Sequence, residues 1–133
     1  MSQNRIHLLL GTNLNDREKN LRTAQIYIEK EIGAIGEKSK IIETKPEGFI
    51  SENDFLNQII VVNSELSPVS TLKIIKQIES KMGRVYLPTQ QNYQDRIIDI
   101  DILFFNRISF ESCILTLPHH QIFSRKFVKK IMI

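Results

Sequence analysis

Asp99 and Asp101 carry the clearest chemical signal in this chain of 133 residues. Side chains two positions apart on a β-strand point to the same side, so both carboxylates would face one place while Ile98, Ile100 and Ile102 face the other. Two neighbouring acids that are partly buried repel each other, and a cation keeps both of them ionised. Carboxylate oxygens suit Mg²⁺ whose coordination is completed by water and phosphate oxygens. The pair therefore predicts a metal site, with the polar face of an exposed strand as the alternative interpretation.

Several basic side chains are candidates for binding phosphate beside this pair. Arg84, Arg96 and Arg125 have guanidinium groups that donate planar, bidentate hydrogen bonds and stay charged. Arg96 is the best placed because it precedes the acidic strand, although each arginine alone is more often an ordinary surface residue. The adjacent His119 and His120 could bind phosphate, donate a proton or ligate a metal, but neighbouring histidines in a loop usually have no special role.

Aromatic and amide side chains indicate a second kind of ligand. Phe55 and Asn57 open a β-branched run, and Phe127 lies near the end of the chain. An aromatic ring with a neighbouring amide can stack on a flat heterocycle and hydrogen-bond its edge, with core packing as the alternative for each phenylalanine. The sequence contains neither G-x-x-x-x-G-K-[ST] nor G-x-G-x-x-G, which excludes a Walker or Rossmann nucleotide site.

The composition of the chain limits which class of protein it can belong to. The length and the proportions of 41% hydrophobic and 25% charged residues predict one globular domain over residues 1–133. The net charge of +3 is too small to indicate a nucleic-acid partner. Cys113 is the single cysteine, so no intrachain disulfide is possible, and the apolar stretches are too short to span a membrane. We therefore expect a cytoplasmic protein without membrane or nucleic-acid partners.

The elements that must position these residues follow from hydrophobic periodicity and from turn and capping residues. Their order is strand, helix, strand, strand, helix, strand, and it predicts an α+β, ferredoxin-like split βαβ fold with an antiparallel sheet and two main helices on one face. The predicted elements are a strand over 6–10, a helix from a cap at Asn15 or Asp16 to Gly33, a strand over 38–44, a strand over 55–66, a helix from Ser67-Pro68 to Gly83, a loop over 84–96, a strand over 97–105, a short hairpin near 108–110 and a final helix over 125–131.

Six motifs follow one another along the chain in a specific order and spacing. They are Gly11-Thr12-Asn13-Leu14, Glu43-Thr44-Lys45-Pro46 with Gly48, Asp54-Phe55-Leu56-Asn57, Glu79 with Gly83-Arg84-Val85, Arg96-Ile97-Ile98-Asp99-Ile100-Asp101 and Leu115-Thr116-Leu117-Pro118-His119. The arginine-to-double-aspartate and Leu-Thr-x-Pro-His segments are the most specific. With these motifs the chain resembles, over nearly its whole length, the 6-hydroxymethyl-7,8-dihydropterin pyrophosphokinase family.

The resemblance implies an enzyme of folate biosynthesis that transfers pyrophosphate from its co-substrate ATP to the hydroxymethyl group of 6-hydroxymethyl-7,8-dihydropterin and releases AMP. It implies that Asp99 and Asp101 hold two Mg²⁺ ions and that Arg84 and Arg96 also serve catalysis. It further implies a monomer with small-molecule substrates. The implied pterin-binding residues are Thr44, Phe55, Asn57 and Phe127, and the implied ATP-binding residues are Glu79, Arg84, Arg96, Thr116, His119, His120 and Arg125.

Two alternatives stay open from the sequence. The segment 85–94 is longer than is usual in the family and lacks the extra arginines and the Arg-Trp pair often found there. A catalytically weak relative that only binds pterin or nucleotide is therefore possible. The order of elements also fits a ferredoxin-like RNA-binding module, but Phe104-Phe105 lacks the sequence context of a base-stacking strand.

Overall fold

The computed structural model describes residues 3–46, 51–83, 95–112 and 114–133. Two long helices and a sheet built around two long central strands make up most of the fold. In chain order the elements are β1 (Asn4–Thr12), α1 (Arg17–Glu31), β2 (Ala34–Lys38), β3 (Ile42–Thr44), β4 (Phe55–Ser64), α2 (Pro68–Lys81), β5 (Asp99–Phe105), β6 (Phe110–Glu111), β7 (Thr116–Leu117), α3 (Gln121–Ser124) and α4 (Lys126–Ile131).

The main sheet has the order β2-β4-β1-β5, with β3 also paired to β4, and each of these pairs is antiparallel. The strands β6 and β7 form a separate two-stranded sheet. Helices α1 and α2 pack on one face of the main sheet and share one hydrophobic core with it. The predicted α+β fold with an antiparallel sheet and two main helices on one face is therefore confirmed.

The ends of the two main helices agree with the predicted caps. The side chain of Asp16 accepts a hydrogen bond from the backbone N–H of Lys19, and Ser67 does the same for Ser70. Gly83 follows α2 with a φ of 101°, a left-handed conformation that glycine adopts without strain.

The strand predicted over 38–44 is wrong in its bounds, because β2 already ends at Lys38 and the separate strand β3 begins only at Ile42. Ser39, which follows β2, pairs with Ile59 of β4 through its hydroxyl as well as its backbone. Its hydroxyl accepts a hydrogen bond from the N–H of Ile59 at 2.9 Å, and its own N–H donates to the Ile59 carbonyl at 2.8 Å. The predicted C-terminal helix over 125–131 is confirmed as α4, and a further short helix, α3, precedes it and ends at the extended residue Arg125.

A second core lies on the opposite face of the sheet, under α3 and α4. Along β1 the residues Ile6, Leu8 and Leu10 face the long helices, whereas Leu9 belongs to the second core. This second core also contains Ile59, Leu103, Ile122, Val128 and Ile131. Across the described part of the chain, each helix falls short of the length and apolar character that a membrane span requires.

His7 provides a pH-dependent contribution to stability on this second face. Its side chain is buried, Nε2 donates to the carbonyl of Ile133 at 2.8 Å, and the ring edge meets Phe104 with 5.5 Å between the ring centroids. Burial lowers the pKa of His7, so the folded protein holds this ring neutral at a pH where the unfolded chain already binds a proton.

We therefore expect the free energy of unfolding to decrease as the pH falls below about 6.5, the ordinary histidine pKa. His7→Phe keeps an aromatic ring against Phe104 and removes the titrating group, so it should flatten part of this slope. The measurement is denaturant unfolding of both proteins between pH 5 and pH 8. Equal slopes for the two proteins would show that His7 contributes nothing to the pH dependence.

Candidate active site

A cavity of about 410 Å³ lies between the strands β1, β4 and β5 and the helices α2 and α3. Arg125, which follows α3, also borders it. It gathers most of the residues that the sequence singled out, from four different parts of the chain. The predicted residues on its wall are Phe55, Asn57, Arg96, Asp99, Asp101, His119, His120 and Arg125. The structure thus brings the acidic pair, two of the three arginines and the aromatic-amide pair to one place.

The acidic pair has the alternation predicted for it. Asp99 and Asp101 both face the cavity, with side chains 25% and 28% exposed, whereas Ile98, Ile100 and Ile102 are buried. The alternation follows from the pleat of β5, which sends successive side chains to opposite faces of the sheet.

Arg96 and Gln121 bind the two carboxylates, and the ring of His119 lies near Asp101. Arg96 Nη1 lies 2.9 Å from Asp99 Oδ2, and Gln121 Nε2 donates to Asp101 Oδ2 at 2.7 Å. His119 Nε2 lies 3.9 Å from Asp101 Oδ1. Because His119 Nδ1 accepts a hydrogen bond from the backbone N–H of Gln121 at 3.2 Å, the ring proton of neutral His119 lies on Nε2, which is the nitrogen nearer to the carboxylate.

The electrostatics of the pair favour a bound cation. Burial, with the charge of Asp99 as the second cause, raises the pKa of Asp101 to about 7. Burial and the neighbouring His120 lower the pKa of His119 to about 4, so His119 is neutral at pH 7 and does not balance the acids. His119 and His120 are stacked, with 4.6 Å between their ring centroids.

The donor set fits Mg²⁺. It consists of the hard carboxylate oxygens of two side chains on the same side of one strand. Ionising both carboxyl groups carries an energetic penalty that a cation would reduce. The described ranges contain no group of three or more histidine, cysteine, aspartate and glutamate side chains arranged to hold a metal. Asp99 and Asp101 would therefore hold the ion while water and substrate oxygens supply the other ligands.

The side of the cavity that contains Phe55 and Asn57 is formed by β4, and we call it the heterocycle side after the ligand predicted for these residues. Asn57 is buried, and its amide donates to Thr44 Oγ1 at 2.8 Å, which fixes the orientation of both side chains. Phe127 is placed elsewhere, since it packs against the second core and the Arg125 guanidinium lies 4.3 Å from its ring centroid. The structure therefore does not bring Phe127 to the wall that contains Phe55.

A second cavity of about 260 Å³ adjoins the first. Its wall combines apolar side chains with Thr116 and Ser112. The apolar side chains are Leu72, Ile100, Ile102, Ile114 and Leu115. Four residues, Lys76, Asp101, His119 and His120, belong to both cavities, so Asp101 lies at their junction while Asp99 borders the first cavity.

Glu79 lies behind the acidic strand. It is fully buried, its Oε2 accepts from the backbone N–H of Ile100 at 2.9 Å, and its Oε1 lies 3.5 Å from Lys76 Nζ. The hydrogen bond to Ile100 fixes α2 to β5. The contact with ATP that is expected for Glu79 stays a prediction. Arg84 and the segment 85–94 lie outside the described residues.

Lys76 and Gln121 belong to the site but were missed from the sequence. Lys76 lies three residues before Glu79, on the same side of α2. This spacing could have predicted from the sequence that the two side chains are neighbours. Gln121 had no such signal, because its role comes from tertiary contacts. Its side-chain Oε1 accepts a hydrogen bond from Arg125 Nη1 at 2.9 Å, and its side-chain Nε2 donates to Asp101. Gln121 therefore links the arginine to the acidic pair.

The raised pKa of Asp101 leads to a stability prediction for the metal-free protein. Above about pH 7 this carboxyl is ionised in both states, and its burial then destabilises the folded state. Asp101→Asn should therefore increase the free energy of unfolding at pH 8 by on the order of a few kcal/mol, because one pKa unit corresponds to about 1.4 kcal/mol. The gain should shrink towards pH 4, where the carboxyl is protonated in the folded state and increasingly so in the unfolded chain.

Urea unfolding in the presence of a chelator, at pH 4 and at pH 8, measures this difference. Adding Mg²⁺ at pH 8 should stabilise the parental protein and leave Asp101→Asn nearly unchanged. A variant that is no more stable than the parent at pH 8 would contradict the assignment.

Comparison with known proteins identifies relatives along almost the whole chain. Residues 7–133 match the model of the family described as 7,8-dihydro-6-hydroxymethylpterin-pyrophosphokinase. A 2-amino-4-hydroxy-6-hydroxymethyldihydropteridine pyrophosphokinase of Porphyromonas gingivalis is 38% identical over 125 residues, which cover 93% of this chain and 85% of the relative. The protein of the same name from Bacillus subtilis is 34% identical over 123 residues, covering 92% and 72%.

Solved structures agree on the fold. The crystal structure of wild-type HPPK-DHPS from Plasmodium falciparum with pteroate superposes with a TM-score of 0.65 at 22% identity. The match covers 82% of this chain and 31% of that chain, so this protein spans about a third of its length. The family match and the two bacterial relatives together establish that this chain belongs to the 7,8-dihydro-6-hydroxymethylpterin-pyrophosphokinase family.

Proposed function

We propose that this protein transfers pyrophosphate from ATP to the hydroxymethyl group of 6-hydroxymethyl-7,8-dihydropterin and releases AMP, as a step of folate biosynthesis. Family membership supports this reaction, and the names of the bacterial relatives favour an enzyme over a relative that only binds its ligands. The observation that carries the proposal is the acidic pair beside two adjoining cavities, one bordered by Phe55 and Asn57 and the other by apolar side chains together with Thr116 and Ser112.

The two cavities suit the two substrates. Phe55 offers a ring face and the Asn57-Thr44 pair offers fixed hydrogen-bonding groups, which match a flat, polar-edged pterin. The second cavity offers apolar side chains, such as Ile114 and Leu115, that suit the adenine ring, and it has Thr116 and Ser112 among its polar groups. The triphosphate then passes Asp101, Lys76 and the histidines, which border both cavities.

The reaction needs alignment more than a dedicated base. The hydroxymethyl oxygen forms a bond to the β-phosphorus, the bond from that phosphorus to the oxygen shared with the α-phosphate breaks, and AMP leaves with that oxygen and its electron pair. The hydroxyl proton passes to solvent. Mg²⁺, when bound, neutralises phosphate charge and helps to align the reacting groups. Asp99 and Asp101 would hold two such ions.

The chain's own residues supply the remaining positive charge and the orientation. Arg96, Arg125 and Lys76 border the first cavity, where guanidinium and ammonium groups can bind the phosphates. Gln121 keeps Arg125 beside Asp101 through its two hydrogen bonds. Neutral His119 offers an N–H donor to a phosphate oxygen without adding a charge. The proposed roles of Phe127, Glu79 and Arg84 come from the resemblance alone.

The direct test is incubation with ATP, Mg²⁺ and 6-hydroxymethyl-7,8-dihydropterin, followed by quantification of AMP and of the pyrophosphorylated pterin. We expect both products in equal amounts, because one transfer yields one of each. Absence of AMP under conditions in which the Bacillus subtilis relative is active would contradict the proposal.

Removing either carboxylate of the acidic pair should remove most turnover. We expect Asp99→Ala and Asp101→Ala each to lower kcat by roughly 100-fold or more, because each loses part of the binding site for the ions that neutralise the phosphates. The matched control is Glu37→Ala, which removes an exposed carboxylate paired with Arg5 at 3.0 Å, away from both cavities. Near-parental kcat in either aspartate variant would show that the metal role is wrongly assigned.

The assignment of the second cavity to the nucleotide is tested at Ile114. This side chain is 63% exposed and borders that cavity, so Ile114→Asp places a negative charge there with little effect on the core. We expect calorimetry to show weaker ATP binding, by roughly tenfold if the lost free energy is about 1.4 kcal/mol. Pterin binding should stay unchanged.

The matched control for this variant is Ile108→Asp, which changes an isoleucine that is 41% exposed and borders neither cavity. Equal ATP affinity in the two variants would place the adenosine elsewhere.

A further inference from the structure

Asp95, which precedes β5, joins three segments of the chain through its carboxylate. Its Oδ1 accepts hydrogen bonds from Asn13 Nδ2 at 2.8 Å and from Ser51 Oγ at 2.6 Å. Its Oδ2 accepts from Asn53 Nδ2 at 3.0 Å. We call Asn13, Ser51, Asn53 and Asp95 the loop clamp. None of its four residues borders the cavity that contains the acidic pair.

Asn13 connects the loop clamp to the backbone of Arg96. Asn13 is only 2% exposed, its N–H donates to the Arg96 carbonyl at 3.0 Å, and its Oδ1 accepts from the Arg96 N–H at 2.6 Å. Its Nδ2 also donates to the carbonyl of Asn53 at 3.1 Å. The backbone at Arg96 is therefore held by two hydrogen bonds, and the Arg96 guanidinium in turn contacts Asp99.

The segment 51–53 leads into the heterocycle side of the cavity. It precedes Phe55, and the carbonyl of Asp54 between them accepts from Arg17 Nη1 at 2.9 Å. The loop clamp thus fixes the start of β4, which carries Phe55, relative to the start of β5, which carries Asp99. Bonds to a carboxylate are stronger than neutral ones, so Asp95 contributes more to this connection than an uncharged residue would.

We propose that Asp95 is a positioning residue for pyrophosphate transfer, which keeps the heterocycle side of the cavity aligned with the acidic pair so that the substrate hydroxyl faces the β-phosphorus. This inference rests on the proposed function. Asp95 acts through Asn13, Ser51 and Asn53 and touches neither substrate. A small error in such alignment is enough to reduce the rate of an in-line displacement substantially.

Substitutions at Asp95 test the role in a graded way. Asp95→Asn keeps an oxygen for Asn13 and Ser51 but turns an amide NH₂ towards the NH₂ of Asn53, whereas Asp95→Ala removes every acceptor. We expect kcat to fall in the order Asp, Asn, Ala, with a loss of roughly 10- to 100-fold for alanine. Calorimetric affinity for an ATP analogue with a methylene group between the α- and β-phosphorus should stay unchanged, because the second cavity lies outside the loop clamp.

A double-mutant cycle with Asn53→Ala distinguishes alignment from a general loss of stability. If the bond between Asn53 and Asp95 matters for kcat, the double variant Asn53→Ala/Asp95→Asn should have about the kcat of Asp95→Asn alone. Glu37→Gln, which alters an exposed carboxylate pair elsewhere, is the control and should leave kcat unchanged. Parental kcat in Asp95→Ala, or multiplicative effects in the double variant, would overturn the proposal even if the unfolding temperature falls.

A failure of the loop-clamp proposal can be distinguished from a failure of the proposed reaction. If the parental protein forms no AMP, the proposed reaction fails and the loop clamp is tested by calorimetry with 6-hydroxymethyl-7,8-dihydropterin and the same ATP analogue. Weaker pterin binding in Asp95→Ala than in the parent would then support the connection to Phe55, and equal binding would overturn it.

Discussion

The repulsion between Asp99 and Asp101 is the constraint on which the rest of the site depends. β5 sends both carboxylates to the same side, and the buried Glu79 adds a third acidic group directly behind them. Such a cluster is unfavourable unless positive charge or a proton compensates it, and the pKa of Asp101 is raised first by its burial and then by the charge of Asp99. The fold therefore maintains an arrangement whose full ionisation calls for a cation.

The strand that carries this pair is fixed ahead of its start and from both faces of the sheet. Glu79 binds the backbone N–H of Ile100 from α2, and Asn13 holds the backbone of Arg96 ahead of the strand. Gln121 reaches Asp101 from α3 on the opposite face of the sheet. Elements from both layers thus meet at one strand, which keeps the carboxylates in place although they repel each other.

Much of this arrangement could be predicted from the sequence, for physical reasons that differ between elements. The alternation of apolar and acidic residues over 98–102 identified the buried and the open face of β5, because a strand has a period of two. Asp16 and Ser67 indicated the starts of the two helices, because capping is local. Ser39 was not recognised as the break between β2 and β3, because its hydroxyl bonds to Ile59, twenty positions away. Gln121 was missed for the same reason.

The charge balance of the site links the acidic pair to the proposed substrate. Lys76, Arg96 and Arg125 lie around Asp99, Asp101 and Glu79, so the formal charges of these six side chains cancel before any ligand binds. His119 is neutral at pH 7 and adds nothing to this balance. A triphosphate brings several further negative charges, which these side chains cannot neutralise while they also compensate the acids. Divalent ions held by Asp99 and Asp101 would supply the positive charge that the phosphates require, and they would also reduce the repulsion between the two carboxylates.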